Sequence, residues 1–180
     1  MPPFPPMPRR SIRNSGASSH ALHDGMAATA RTQIYVDADA CPVKAEVLRV
    51  AERHQLIVPM VSNSWMRLDA SPLISRVIVA EGPDAADDWI ASHVGPRDIA
   101  VTADIPLASR CLKAGAHVVG PTGKPFDEAS IGMALAMREL QKHMRETGMS
   151  RGFNPEFTAK DRSRFLQALE AAVQAVKRRG

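Results

Sequence analysis

Aromatic side chains make up only 4% of this 180-residue chain, so no row of base-stacking platforms is advertised. Cysteine is nearly absent. Cys41 and Cys111 form no CxxC pair, which argues against a disulfide scaffold or a structural zinc site. No apolar run approaches the roughly 20 residues needed to span a bilayer. The opening "MPPFPPMPRRSIRNSGASSH" lacks the apolar centre of a signal peptide. The expectation is a cytoplasmic protein with no membrane segment. A large charge excess is missing too. The net charge is +4 with pI ≈ 9.4, and Arg9, Arg10 and Arg13 in the first 25 residues supply much of it. Charge therefore permits a phosphate-bearing partner without requiring one.

What is present is 44% hydrophobic residues, ample for one core. Residues 1–30 are rich in Pro, Ser, Arg and Ala and show no periodicity. They read as a disordered N-terminal extension, with Met26 a second candidate start. Residues 31–180 read as a single domain, in which short apolar runs alternate with helical patterns. The runs are "QIYVD" (33–37), "LIVPMVS" (56–62), "RVIVA" (76–80), "DIAVTAD" (98–104) and "AHVVG" (116–120). Helical spacing covers 43–54 with Pro42 as first helical residue, then 84–94 and 105–115. Two longer helices follow at 128–147 and 159–179, separated by a Gly/Pro-rich loop. Continuous apolar strands joined mostly by helices predict a parallel sheet covered on both faces, hence an α/β fold. The C-terminal helices pack on that sheet or form a homo-oligomer contact.

In such sheets a site lies beyond the carboxyl ends of the strands. That rule gathers Asp37 and Asp39 after the first strand, Asp84 and Asp87 at the helix after the third, and Asp104 after the fourth. Five carboxylates at one edge would repel one another and raise some pKa values. A hard divalent cation would relieve that, and all-oxygen donors favour Mg²⁺ or Mn²⁺ over zinc. Asp87 shares a helical stripe with Asp84, Ile90 or Ala91, and Val94, so it should point inward. Asp88 is turned about 100° away and should be solvated. The plainer reading of Asp39, Asp84 and Asp104 is that each caps a helix. Thr102 either orients Asp104 or is an ordinary strand residue. Lys44, Asn63, Arg67 and Lys124 fall in carboxyl-edge segments and are candidates to hold a phosphate, against the plainer reading of ordinary surface side chains. Cys41 reads as a small semi-buried residue.

"VDADACPVK", "GPDAADDWI" and "VTADIPLA", in this order, resemble the YaiI/YqxD family of uncharacterised bacterial proteins, whose domain is similar to PIN-like nuclease domains. The resemblance runs from about Gln33 to the C-terminus. It implies a three-layer α/β/α fold with a mainly parallel central sheet and extra C-terminal helices. Asp37, Asp87 and Asp104 match the PIN-like acids, and "TADIPLA" matches the last motif. The implied activity is metal-dependent hydrolysis of phosphodiester bonds, often in RNA. By that resemblance Asp37, Asp87 and Asp104 are catalytic and hold the metal; a second ion would need another ligand, which Asp39 or Asp84 could supply. One departure stands out, because many PIN-like domains carry Glu on the helix where this chain has Asp84 and Asp87. Two alternatives remain: a non-catalytic PIN-like module binding RNA or protein, and a haloacid-dehalogenase-type phosphatase, whose opening DxD motif "IYVDADAC" resembles.

Overall fold

The computed structural model describes residues 31–180 except 40, 69, 81, 149–155 and 180. The proposed N-terminal extension therefore lies outside the described residues, as does most of the Gly/Pro-rich loop. The described residues form strands β1 (Ile34–Asp37), β2 (Val58–Ser62), β3 (Ile74–Ile78), β4 (Ile99–Val101), β5 (His117–Val119) and β6 (Pro125–Phe126). The helices are α1 (Lys44–His54), α2 (Ala85–His93), α3 (Ile105–Lys113), α4 (Glu128–Glu146) and α5 (Ala159–Arg179). One sheet runs in the order β3-β2-β1-β4-β5-β6, parallel throughout except for the antiparallel β5–β6 pair. This is a three-layer α/β arrangement, consistent with a PIN-like fold.

Alternation along the strands builds two cores. Ile34, Val36, Val58, Met60, Ile99 and Val101 face α1 and α5, where Val43, Val47, Phe165, Leu169 and Val173 meet them. Tyr35, Val61, Ala100 and Val118 face the other way, against Ala86 and Ile90 of α2 and Leu107 and Cys111 of α3. Both faces of the central strands are dry, so their sequence reads as uninterrupted apolar runs rather than an alternation. Helix α4 leans on α3 rather than on the sheet, and none of its residues is fully buried.

Two expectations need correction. Pro42 is not the first helical residue. It lies in a turn, Val43 is the N-cap of α1, and the Val43 carbonyl accepts from Val47 N–H at 2.9 Å. The third strand is not a buried 76–80. It is Ile74–Ile78 at the sheet edge, with Ser75 and Arg76 exposed. Register explains the shift: β2 pairs residue by residue from Val58↔Ile74 to Ser62↔Ile78, so β3 ends where its partner ends. The described residues of the loop between β2 and β3 contain no helix, and "GPTGKPF" holds the short antiparallel β6. Its turn uses Gly123 at φ +81, where a Cβ would come within 2.5 Å of the Arg164 backbone.

Candidate active site

The strand order reverses between β1 and β4. β1 is followed by β2 and β3 on one side, while β4 and β5 extend the sheet on the other. Open α/β sheets place their ligand crevice at this switch point, outside the carboxyl ends of the strands. Asp37 closes β1 there. Thr102 immediately follows β4, is 2% exposed, and donates its hydroxyl to Asp37 Oδ2 at 3.0 Å. The same hydroxyl oxygen accepts from the Asp104 N–H at 3.0 Å. Thr102 is thus neither an idle strand residue nor the orienter of the Asp104 carboxylate; its hydroxyl goes to Asp37.

Asp104 is the N-cap of α3, and its Oδ1 accepts from Leu107 N–H at 2.8 Å. The bond satisfies an otherwise orphan amide of the first turn. Its Oδ2 lies 3.9 Å from Arg138 Nη2. Asp39 caps no helix. Its Oδ2 accepts from the Asn63 N–H at 2.9 Å, tying the first motif to the loop after β2. Asp84 sits at the N-cap of α2 without a side-chain capping bond and with φ 62, a left-handed conformation that aspartate tolerates better than most residues. Asp87 is half-buried one turn later. Asp88 is exposed and pairs with Arg110 at 2.8 Å.

The charges confirm that these segments converge. Burial raises the Asp37 pKa above the ordinary carboxylate range, and the Asp39 and Asp104 carboxylates push it further, while the Thr102 bond and Lys44 oppose them. Asp87 is pushed up to about 6, first by burial and then by Asp104, Asp37 and Asp84, against the pull of Arg110. Two carboxylates held above their usual range in one crevice are the pattern typical of functional sites. The Cys41 thiol is also pushed up, chiefly by burial, which keeps it protonated and unsuited to nucleophilic attack.

Beside the crevice, α2, α3 and α4 enclose a cleft of about 390 Å³ lined by Asp84, Asp87, Asp88, Asp104, Arg110 and Arg138, among others. The two arginines escaped the sequence reading. Arg138 left a trace: it follows Ile131 by seven residues and Leu135 by three, a cation set on the half-buried stripe of its helix. Of the four candidates for phosphate, Lys44 is near enough to bias Asp37, and its ammonium donates to the Cys41 carbonyl at 2.9 Å. Asn63 stands beside Asp39. Arg67 and Lys124 lie in carboxyl-edge loops, but no contact among the described residues links either to the acids.

For a metal ion the donor chemistry fits. The acids are hard oxygen ligands, and the buried Asn63 Oδ1 beside Asp39 has no hydrogen-bond partner among the described residues. Their spacing is open, however. Among the described residues, no three His, Cys, Asp or Glu side chains come close enough together to hold an ion.

Residues 35–175 match the model of a family described as "Uncharacterized BCR, YaiI/YqxD family". The chain belongs to the YaiI/YqxD family. Its relatives include a UPF0178 protein of Parvibaculum lavamentivorans, 60% identical over 148 residues, which are 82% of this chain and 97% of the relative. A UPF0178 protein of Rhodospirillum rubrum is 58% identical over 147 residues, 81% of this chain and 98% of its own. One of Rhizobium meliloti is 59% identical over 145 residues, 81% and 99% of the two chains. The YaiI/YqxD match begins within the first strand and takes in most of α5, so nearly all of the described sheet and of both cores belongs to the family unit. No solved structure matches the chain. No helix among the described residues is long and apolar enough to cross a membrane.

Proposed function

We propose that this YaiI/YqxD protein hydrolyses phosphodiester bonds, in RNA, with Mg²⁺ or Mn²⁺ held by carboxylates at the β1/β4 crevice. The observation that carries the reading is the Thr102–Asp37 hydrogen bond across the switch point. A strand-end carboxylate, half-buried and held by a buried hydroxyl, is costly to maintain for stability alone. Asp37, Asp87 and Asp104 would hold the ion only by drawing closer together than they stand here, with Asp39 and Asp84 beside them. Bound there, the ion would lower the pKa of a water and offset charge on phosphorus. The chain's own contribution is positioning. Thr102 fixes one Asp37 oxygen, and the Leu107 amide fixes one Asp104 oxygen. Arg110 and Arg138 line the adjoining cleft and suit phosphate oxygens, since guanidinium forks match them in shape and charge.

Calorimetric titration with Mg²⁺ and Mn²⁺, on wild type and Asp37→Asn, with cleavage of single-stranded RNA followed on the same samples, tests this. Metal binding and cleavage in wild type, both lost in Asp37→Asn, is the expected result. No binding of either ion at millimolar concentration would overturn it.

The open spacing of the acids favours a second reading, a non-catalytic module that binds RNA or protein through the same cleft. RNA affinity that persists without metal and without cleavage would select it. A phosphatase of the haloacid-dehalogenase type gains less support. It would use the Thr102 hydroxyl toward phosphate, and that hydroxyl is engaged by Asp37.

A further inference from the structure

Helix α4 distributes its side chains in an unusual way. At 100° per residue, its charged residues Glu128, Arg138, Glu139, Lys142, Arg145 and Glu146 fall within an arc of about 120°. That arc is centred on the side where Ile131 packs inward and Arg138 reaches toward Asp104, with Leu135 half-buried between them. The remaining, outward arc of about 240° carries no Asp, Glu, Lys or Arg. Met133 (69% exposed), Met137 (46%) and Leu140 (51%) project from it, and the half-buried Met144 continues the stripe one turn on. A surface helix normally turns its charges outward and its apolar stripe inward. Here Arg138 lies on the side nearer the domain, with Glu128, Glu139, Lys142, Arg145 and Glu146 exposed around it.

We infer that this outward face is the contact between two copies of the chain, paired antiparallel across a two-fold axis. Two features select a second copy. The stripe 133, 137, 140, 144 is spaced four, three, four, which reads the same from either end. An antiparallel two-fold pair therefore sets Met133 opposite Met144 of the second copy and Met137 opposite Leu140, the self-complementarity an isologous contact requires. The four-three spacing is also the one with which helices interdigitate as knobs into holes. The flanks agree. The residues bordering the stripe are Ala134 and Gln141 on one side and Ala136 and His143 on the other. Antiparallel pairing brings each side against its own copy, and neither side holds two like charges to repel. The stripe is about 16 Å long at 1.5 Å per residue. One helix pair buries less than a standard interface, so a dissociation constant on the order of micromolar is expected.

Sedimentation equilibrium of the full chain across the micromolar range reads this directly. Wild type is expected to dimerise, and Leu140→Glu to weaken the dimer about 30-fold or more, a loss of hot-spot size. Because Leu140 is exposed in the single chain, the variant is expected to keep its circular dichroism and thermal midpoint. Orientation is read by cross-linking, since Cys41 and Cys111 are buried and do not compete. A mixture of Met133→Cys and Met144→Cys chains is expected to form the mixed disulfide, and Met133→Cys alone to form none. A wild type that stays monomeric at 100 µM, about a hundredfold above that expected constant, would overturn the proposal. So would a dimer indifferent to Leu140→Glu, or one that Met133→Cys alone cross-links.

Discussion

Thr102 and Asp37 lie 65 positions apart in sequence and 3.0 Å apart in space, hydroxyl to carboxylate, at the point where the sheet reverses its winding. The bond joins the end of β1 to the residue after β4, so it holds the crevice at a fixed width as well as orienting one acid. Thr102→Val removes the donor to Asp37 and the acceptor of the Asp104 N–H together. The expected cost is about 1–3 kcal/mol, or several degrees of thermal midpoint. The Asp37 pKa is expected to rise, because the Thr102 bond is what holds it down; carboxyl-carbon NMR titration reads it. Thr102→Ser keeps the hydroxyl and is expected to restore most of both.

Asp87 makes the fold depend on pH. It titrates at about 6 in the folded chain, against about 3.9 for an unfolded aspartate. Its contribution to stability is therefore complete below about pH 4 and is lost as pH rises through 6. Asp87→Asn is expected to stabilise the chain at pH 7 by about 1 kcal/mol, the full linkage value being reduced by the solvent reaching this half-buried group. At pH 4 the gain disappears. Thermal denaturation at the two pH values checks it, and an equal gain at both would rule out the carboxylate repulsion invoked here.

Two roles of Asp104 are separable by substitution. Asparagine keeps an oxygen for the Leu107 amide, so Asp104→Asn is expected to leave stability within about 0.5 kcal/mol while abolishing cleavage and metal binding. Asp104→Ala loses the cap as well and costs about 1 kcal/mol more. Urea denaturation beside an RNA-cleavage assay distinguishes them. An Asn variant with full cleavage would reduce Asp104 to a helix cap.

Arg138 makes two long, partly solvated ion pairs, with Asp104 at 3.9 Å and with Glu139 at 3.5 Å, each of the kind worth about 0–1 kcal/mol. Arg138→Gln is expected to weaken RNA binding severalfold, more at low salt than at high, with the thermal midpoint nearly unchanged. Filter binding across a salt series reads it. Unaltered affinity at every salt concentration would remove Arg138 from the RNA-binding surface.

Arg162 carries a structural load. It donates to Glu46 Oε1 at 2.9 Å and to the Pro42 carbonyl at 3.0 Å. Glu46 is 9% exposed, and its other carboxylate oxygen is buried without a hydrogen-bond partner among the described residues. Arg162→Ala strands a buried charge and is expected to cost about 3 kcal/mol, read by urea denaturation. The Glu46→Gln, Arg162→Ala double variant is expected to recover part of that loss.

Local signals carried most of the fold and some of the site. The apolar run ending in Asp37, the acid before "IPLAS" and the long amphipathic α5 announce themselves within a few residues of sequence, because strand burial, capping and helical stripes are local physics. β3 was placed too late because hydrophobicity marks Val79 and Ala80, whereas pairing with Ser62 sets the strand's end. The Thr102–Asp37 and Asn63–Asp39 bonds, and Arg110 and Arg138 in the cleft, join segments distant in sequence. No periodicity encodes such meetings; they follow from strand order, which the sequence pattern leaves open.

Helix α5 supplies Phe165, Leu169, Val173 and Val176 to the same core as Ile34 and Val36 of β1. The core on one side of the first strand made is thus completed by the last helix made. During synthesis, one face of the central strand has to wait, bare, for some 130 further residues, which at about 5–20 residues per second takes on the order of ten seconds. The YaiI/YqxD domain therefore completes its fold only as α5 emerges, and a chain cut short before Phe165 presents the apolar side of its sheet to solvent and to its neighbours.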